Sequence, residues 1–166
     1  MREELVEVLV KCKKNILLTV GMLLLYIICG LVALYGLFTG NMIVVLVGVA
    51  IGFGGYALGS KSSVEYEYTY CSKEIDVDVI YSQIKRKKVT TIDLSKMEAL
   101  VRVNSSKMNE FNNRQFIVKD FSSKKADHAD EVYALIYDDN IKYLIEPGER
   151  MLNAISYVCP RKIFKD

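Results

Sequence analysis

Few residues in this chain could take part in chemistry, and they are scattered. His128 is the single histidine. It stands in Asp127-His128-Ala129-Asp130, where an imidazole between carboxylates has the donor types of a metal site. Neighbouring loop residues seldom converge on one ion without ligands from elsewhere, so a solvated loop is the simpler expectation. Cys12, Cys29, Cys71 and Cys159 form no C-x-x-C pair and read as isolated reduced thiols. The acidic pairs Glu65/Glu67 and Asp76/Asp78 have strand spacing, which puts each pair on one sheet face, expected to be outward and solvated. There is no G-x-S-x-G, no P-loop and no H-E-x-x-H, and Gly52-Phe53-Gly54 lies inside an apolar run. The expectation is a protein without enzymatic activity, cofactor or metal. The densest cations are Lys85-Arg86-Lys87-Lys88. Near an anionic leaflet each would contribute about 1 kcal/mol, which makes them a candidate lipid or partner contact; the alternative is a solvated hairpin tip.

The elements that must carry these residues separate by composition. Of the 166 residues, 51% are hydrophobic and 25% charged, and the two classes are segregated. No charge occurs between Ile16 and Leu58, a stretch holding two apolar runs, 16–38 and 42–58, broken by Thr39-Gly40-Asn41. Each can cross a hydrocarbon core of about 30 Å at about 1.5 Å per residue, so a transmembrane hairpin is expected over 16–60. A buried helical pair is disfavoured because the rest of the chain could hardly sheathe two helices that are apolar all round. A signal peptide fits poorly because the first run is too long and no small-x-small site follows. Lys11, Lys13 and Lys14 abut the first span and Lys61 follows the second, while the connecting turn has no cation. Both ends are therefore expected on the cytoplasmic side. Net charge is only +2, unlike a nucleic-acid binder.

Within the hairpin, Gly48, Gly52, Gly55 and Gly59 recur on one helical stripe, and Cys29, Ala33, Gly36 and Gly40 do the same on the first span. Small residues on facing stripes let backbones approach closely, so these stripes are expected to meet within the hairpin. The alternative is a homo-oligomer through the G-x-x-x-G pairs. Residues 1–15 place Leu5, Val8, Leu9 and Cys12 at helical spacing, which predicts a short interfacial helix or an extension of the first span.

From residue 61 to 166 the period changes to two. Val64, Tyr66, Tyr68 and Tyr70 alternate with Glu65, Glu67 and Thr69, and Ile75, Val77 and Val79 alternate with Asp76 and Asp78. Further strands are predicted over 83–94, 97–103, 115–121, 132–137 and 141–145, with polar loops at 104–114 and 122–130 and a hairpin turn at Asp138-Asp139-Asn140. After Pro147, the residues Met151, Leu152, Ile155 and Val158 share one face of a helix over about 147–159, ended by Pro160. The domain thus reads as seven antiparallel strands and a C-terminal helix.

That order resembles the pleckstrin-homology-like (PH-like) barrel, and in particular the bacterial PH-like and YcxB-like membrane proteins in which a transmembrane hairpin precedes the barrel. The segment Val89 to Glu98, with Ile92-Asp93-Leu94 and Lys96-Met97, and the close Cys159-Pro160-Arg161-Lys162-Ile163-Phe164 carry the resemblance. The layout is also similar to a clostridial-type membrane family of unknown function. The resemblance implies a membrane α-helical hairpin followed by a mainly β domain, a seven-stranded barrel with a C-terminal helix. Phosphoinositide binding does not carry over: the turn between the first two predicted strands is Cys71-Ser72-Lys73-Glu74, with one lysine beside a glutamate. The architecture implies a membrane-anchored cytoplasmic interaction module contacting protein or anionic lipid, or else an accessory subunit of a transporter or envelope complex.

Overall fold

The computed structural model describes residues 5–164 apart from 139, with backbone alone at 60–62. The Lys61 side chain, Asp139 of the predicted turn and the first four residues of the N-terminal segment lie outside the described residues. The chain divides into two units. Lys14–Val64 forms one, and the segment through Lys13 joins Glu65 onward to form the other.

The first unit is a helical hairpin, α1 (Ile16–Phe38) and α2 (Met42–Ser62). Both helices start on an asparagine cap: the Asn15 side chain accepts from Leu17 N at 3.2 Å, and that of Asn41 from Ile43 N at 3.1 Å. These caps satisfy backbone N–H groups that a helix leaves unpaired. Thr39 ends α1 with its hydroxyl donating to Tyr35 O at 2.9 Å. Gly40 then takes a φ of +66°, a conformation in which a Cβ is strained, and so turns the chain within three residues. Both helices are long and apolar enough to cross a membrane.

The second unit holds nine strands among the described residues, in two sheets. The first sheet has the order β1 (Val6–Lys11), β2 (Val64–Cys71), β3 (Glu74–Tyr81), β4 (Lys85–Asp93). The second comprises β5 (Met97–Arg102), β6 (Ile117–Asp120), β7 (Tyr133–Tyr137), β8 (Ile141–Ile145) and β9 (Ile163–Phe164), in the order β6-β8-β7-β5-β9. Helix α3 (Gly148–Val158) falls within the predicted 147–159. Both hairpin turns of the first sheet hold two residues at positive φ, Ser72-Lys73 in the two-residue β2–β3 turn and Ser82-Gln83 in the three-residue β3–β4 turn that Ile84 completes, a backbone that matches the twist of the paired strands.

The structure corrects the sequence reading at four points. The predicted interfacial helix near the N-terminus is strand β1, antiparallel to β2 with Val6 opposite Tyr70 and Lys11 opposite Glu65. Val6, Val8 and Val10 are β-branched at a period of two, and they pack on the core while Glu7 and Lys11 face away. The hairpin is therefore inserted between two strands that pair with each other. The domain is not a closed barrel of seven antiparallel strands: β6 runs parallel to β8, and β9 parallel to β5. The predicted polar loop 104–114 contains a 3-10 helix, Ser106–Phe111, whose Met108 and Phe111 pack with Ala99, Val101, Ala134 and Ile136. This second cluster covers the far face of the second sheet, so β5 and β7 are buried on both faces and lose strict alternation. Finally, β5 contains an irregularity between Met97 and Ala99, which brings Leu100 into the main core.

The main core lies between the sheets and under α3. Tyr68, Ile75, Val77, Ile92, Leu94, Leu100, Leu135, Ile145, Met151 and Ile155 are fully enclosed there. The enclosed Tyr68 hydroxyl donates to Phe121 O at 2.6 Å, tying β2 to the chain that follows β6.

Candidate functional site

The basic run lies at the start of β4, an edge strand of the first sheet, and strand alternation divides its four cations into two pairs. Arg86 and Lys88 lie over the acidic face. The Arg86 guanidinium meets Asp78 at 2.6 Å and Glu67 at 2.9 Å, and Lys88 meets Asp76 at 2.8 Å. Asp76 also accepts from the Thr91 hydroxyl at 2.6 Å. The hydrogen bond to Asp78 pushes the Arg86 pKa up, and the Lys88 and Thr91 bonds hold the Asp76 carboxyl below its usual range. Lys85 and Lys87 project to the other face, exposed and without an ion pair among the described residues.

The acids are less solvated than their spacing suggests. Glu65 is 5% exposed and Asp78 9% exposed, which corrects the reading of these pairs as solvated sheet surface. Cross-strand neighbours reach over them: Gln83 Nε2 donates to Glu65 Oε1 at 3.3 Å, and Arg86 lies against Glu67 and Asp78.

That Gln83–Glu65 bond also says which end of the sheet is involved. Glu65 stands opposite Lys11, where the chain leaves β1 and re-enters β2, so the β3–β4 turn lies at the same end. Ile84 is the last residue of that turn and is 82% exposed. Lys13 and Lys14, also exposed, continue from β1, and Lys13 N donates to Ser123 O at 2.8 Å. Ile84 was legible only as one residue of a predicted strand over 83–94. The signal that could have found it is an apolar residue between the polar pair Ser82-Gln83 and four cations.

The other candidates are placed as follows. His128 lies in a 3-10 turn, Ala126–Glu131, and its Nδ1 sits 2.8 Å from Glu131 Oε2. Asp130 is drawn away by Asn104, whose Nδ2 donates to it at 2.8 Å, and no group of three metal-capable side chains occurs among the described residues. All four cysteines are free thiols. Burial pushes the Cys12 thiol up to about 11, which leaves little thiolate at neutral pH. An open trough of about 630 Å³ between Arg102, Glu131, Glu149 and Asn153 presents both signs of charge and converges on no one chemistry.

In the hairpin the two small-residue stripes face each other. A Cβ added at Gly48 would lie 3.1 Å from Ala33 N and 3.3 Å from Cys29 O; at Gly52, 3.1 Å from Cys29 Sγ; at Gly36, 2.8 Å from Val45 N. Gly55 faces the Tyr26 ring, and Gly59 faces the Met22 thioether. Gly40 belongs to the turn instead, with open space around it.

The depressed Asp76 carboxyl gives a pH prediction. A carboxylate held below its unfolded value of about 3.9 contributes stability above that value, and the contribution is lost as pH falls through the lower folded value. Replacing Lys88 with Met removes the largest cause of the shift. Thermal melts of the two proteins should therefore differ at neutral pH and converge on acidification below about pH 4.

A family model described as a bacterial PH-like domain, DUF6106, matches residues 2–165. No curated protein and no solved structure matches the chain.

Proposed function

Since the chain belongs to the DUF6106 family of bacterial PH-like domains, we propose that it is an integral membrane protein whose helical hairpin anchors the β domain at the cytoplasmic face, where it serves as a non-catalytic interaction module. The observation that carries this reading is the insertion of the hairpin between β1 and β2. Two strands that exchange ladder hydrogen bonds must lie on one side of a bilayer, so both flanks of a two-span hairpin share a face. Lys11, Lys13 and Lys14 before the first span favour the cytoplasmic face for both.

Thiol labelling tests the topology. Cys71 and Cys159 are partly exposed, at the β2–β3 turn and after α3. A membrane-impermeant maleimide should leave both unmodified in intact cells and modify both in inverted vesicles. Cys12 should react most slowly of the three, because its thiol is held protonated. Labelling of Cys71 or Cys159 from outside intact cells would overturn the topology.

A second reading makes the hairpin the working part, as an accessory subunit of a transporter or envelope complex. What supports it is that Gly21, Gly30 and Gly54 would each meet nothing within 4 Å if given a Cβ, so small residues also occur away from the internal stripe. Under this reading Gly30→Leu with Gly54→Leu would abolish recovery of a polytopic partner in mild detergent, while changes at Lys85 and Lys87 would not.

A further inference from the structure

We propose that the β3–β4 turn docks on the anionic leaflet, with Ile84 inserted among the acyl chains and Lys85 and Lys87 against lipid phosphates. This inference rests on the anchoring reading above and adds the surface and the ligand. Three observations carry it. Ile84 is 82% exposed at a turn tip, where an aliphatic side chain stabilises nothing in the domain and costs solubility. The two cations beside it that alternate away from the acidic face, Lys85 and Lys87, carry no ion pair among the described residues, whereas Arg86 and Lys88 are neutralised by Glu67, Asp78 and Asp76. An apolar tip flanked by free ammonium groups on long stems is complementary to a bilayer with anionic head groups above hydrocarbon.

The third observation is positional. Gln83 bonds Glu65, and Glu65 pairs with Lys11, so the tip belongs to the end of the sheet from which the chain runs to α1 and returns from α2. Only four residues separate Lys11 from Ile16, and β2 begins two residues after Ser62. With the hairpin in a bilayer, that sheet end is held near the surface by the covalent chain, and docking needs no separate encounter. The linking residues Lys13 and Lys14 are cations too, and they extend the same charge pattern.

The chain has no tryptophan, so Ile84→Trp supplies a single indole, excited selectively over the 11 tyrosines, at an exposed position that no core contact depends on. The full chain would be placed in nanodiscs of phosphatidylcholine, with or without phosphatidylglycerol, made with acyl-brominated lipid as quencher. Leu24→Trp, in the middle of α1, serves as the span reference. In anionic discs the Trp at 84 should be blue-shifted and quenched. Changing Lys85 and Lys87 to Gln should lower the ratio of docked to free domain roughly thirtyfold, from about 1 kcal/mol per cation.

Quenching at 24 but not at 84 overturns the docking and leaves the anchor standing. Absence of quenching at both overturns the anchoring reading, and the docking with it. Equal quenching at 84 in purely zwitterionic discs overturns the assignment to anionic lipid. A Trp at 84 that is solvent-like in discs but shielded in native membranes overturns the proposal in favour of a protein partner.

Discussion

A Gly52→Cys variant should close a disulfide with Cys29 under mild oxidation, and adding Gly48→Leu should abolish it. The would-be Cβ at position 52 lies 3.1 Å from Cys29 Sγ, a separation compatible with a bond that needs Cβ atoms about 3.5–4.5 Å apart. At position 48 the same added atom meets backbone, 3.1 Å from Ala33 N and 3.3 Å from Cys29 O, and a main chain cannot rotate away as a side chain can. A leucine there must push the helices apart. In a bilayer the close approach is itself the source of association, since lipid tails solvate a leucine as well as a neighbouring helix does. The check is a mobility shift on non-reducing gels with the purified chain at dilution. A band at twice the mass would assign the glycine face to a second copy.

The second large effect is expected in the β domain. Ile155 is fully enclosed where α3 meets the main core, beside the equally enclosed Met151. Ile155→Ala should destabilise by about 2–5 kcal/mol, from lost burial and the cavity left behind. At about 4–8 °C per kcal/mol for a domain of this size, the midpoint should fall by roughly 8 °C or more. Circular dichroism of the β signal in nanodiscs reads it, with the α-helical signal of the hairpin as the internal reference. Substitution of the exposed Tyr157 on the same helix, 86% accessible, should leave the midpoint unchanged. If both variants melt alike, α3 does not cap the core.

Elements that depend on short-range periodicity were legible from residues alone. The two apolar runs became α1 and α2, since a helix pairs its backbone N–H and C=O groups within the segment itself. The strand 141–145 has the bounds predicted for it, and α3 lies within one residue of its predicted limits. The two runs are marked by unbroken apolarity and the strand and α3 by their period, and the helices carry chemical start and stop signals: Asn15 and Asn41 at helix starts, Gly40 at a turn, Pro160 after α3.

Strand partners were not legible. Val6, Val8 and Val10 carry a period of two, but Leu5, Val8, Leu9 and Cys12 also fit a helical stripe in so short a segment. The choice was made by β2, which lies more than fifty residues away and offers an edge for β1 to pair with. The same non-local cause governs the second sheet. Burial of β5 on both faces depends on Met108 and Phe111, whose segment reads as a polar loop until it is seen folded over Ala99 and Val101.

The division extends to the proposed contact surface. The sequence by itself determined that four cations stand together, that two small-residue stripes exist, and that two long apolar runs accompany a β-rich domain. These are properties of composition and local spacing, and they need no knowledge of what lies opposite. Only the tertiary structure decided that Arg86 and Lys88 are spoken for by acids on neighbouring strands, that Lys85 and Lys87 are not, and that Ile84 stands at the sheet end where the chain departs for the helices. Which charge is free and which apolar residue is exposed depends on register, and register is set by long-range pairing between segments that spacing alone cannot bring together.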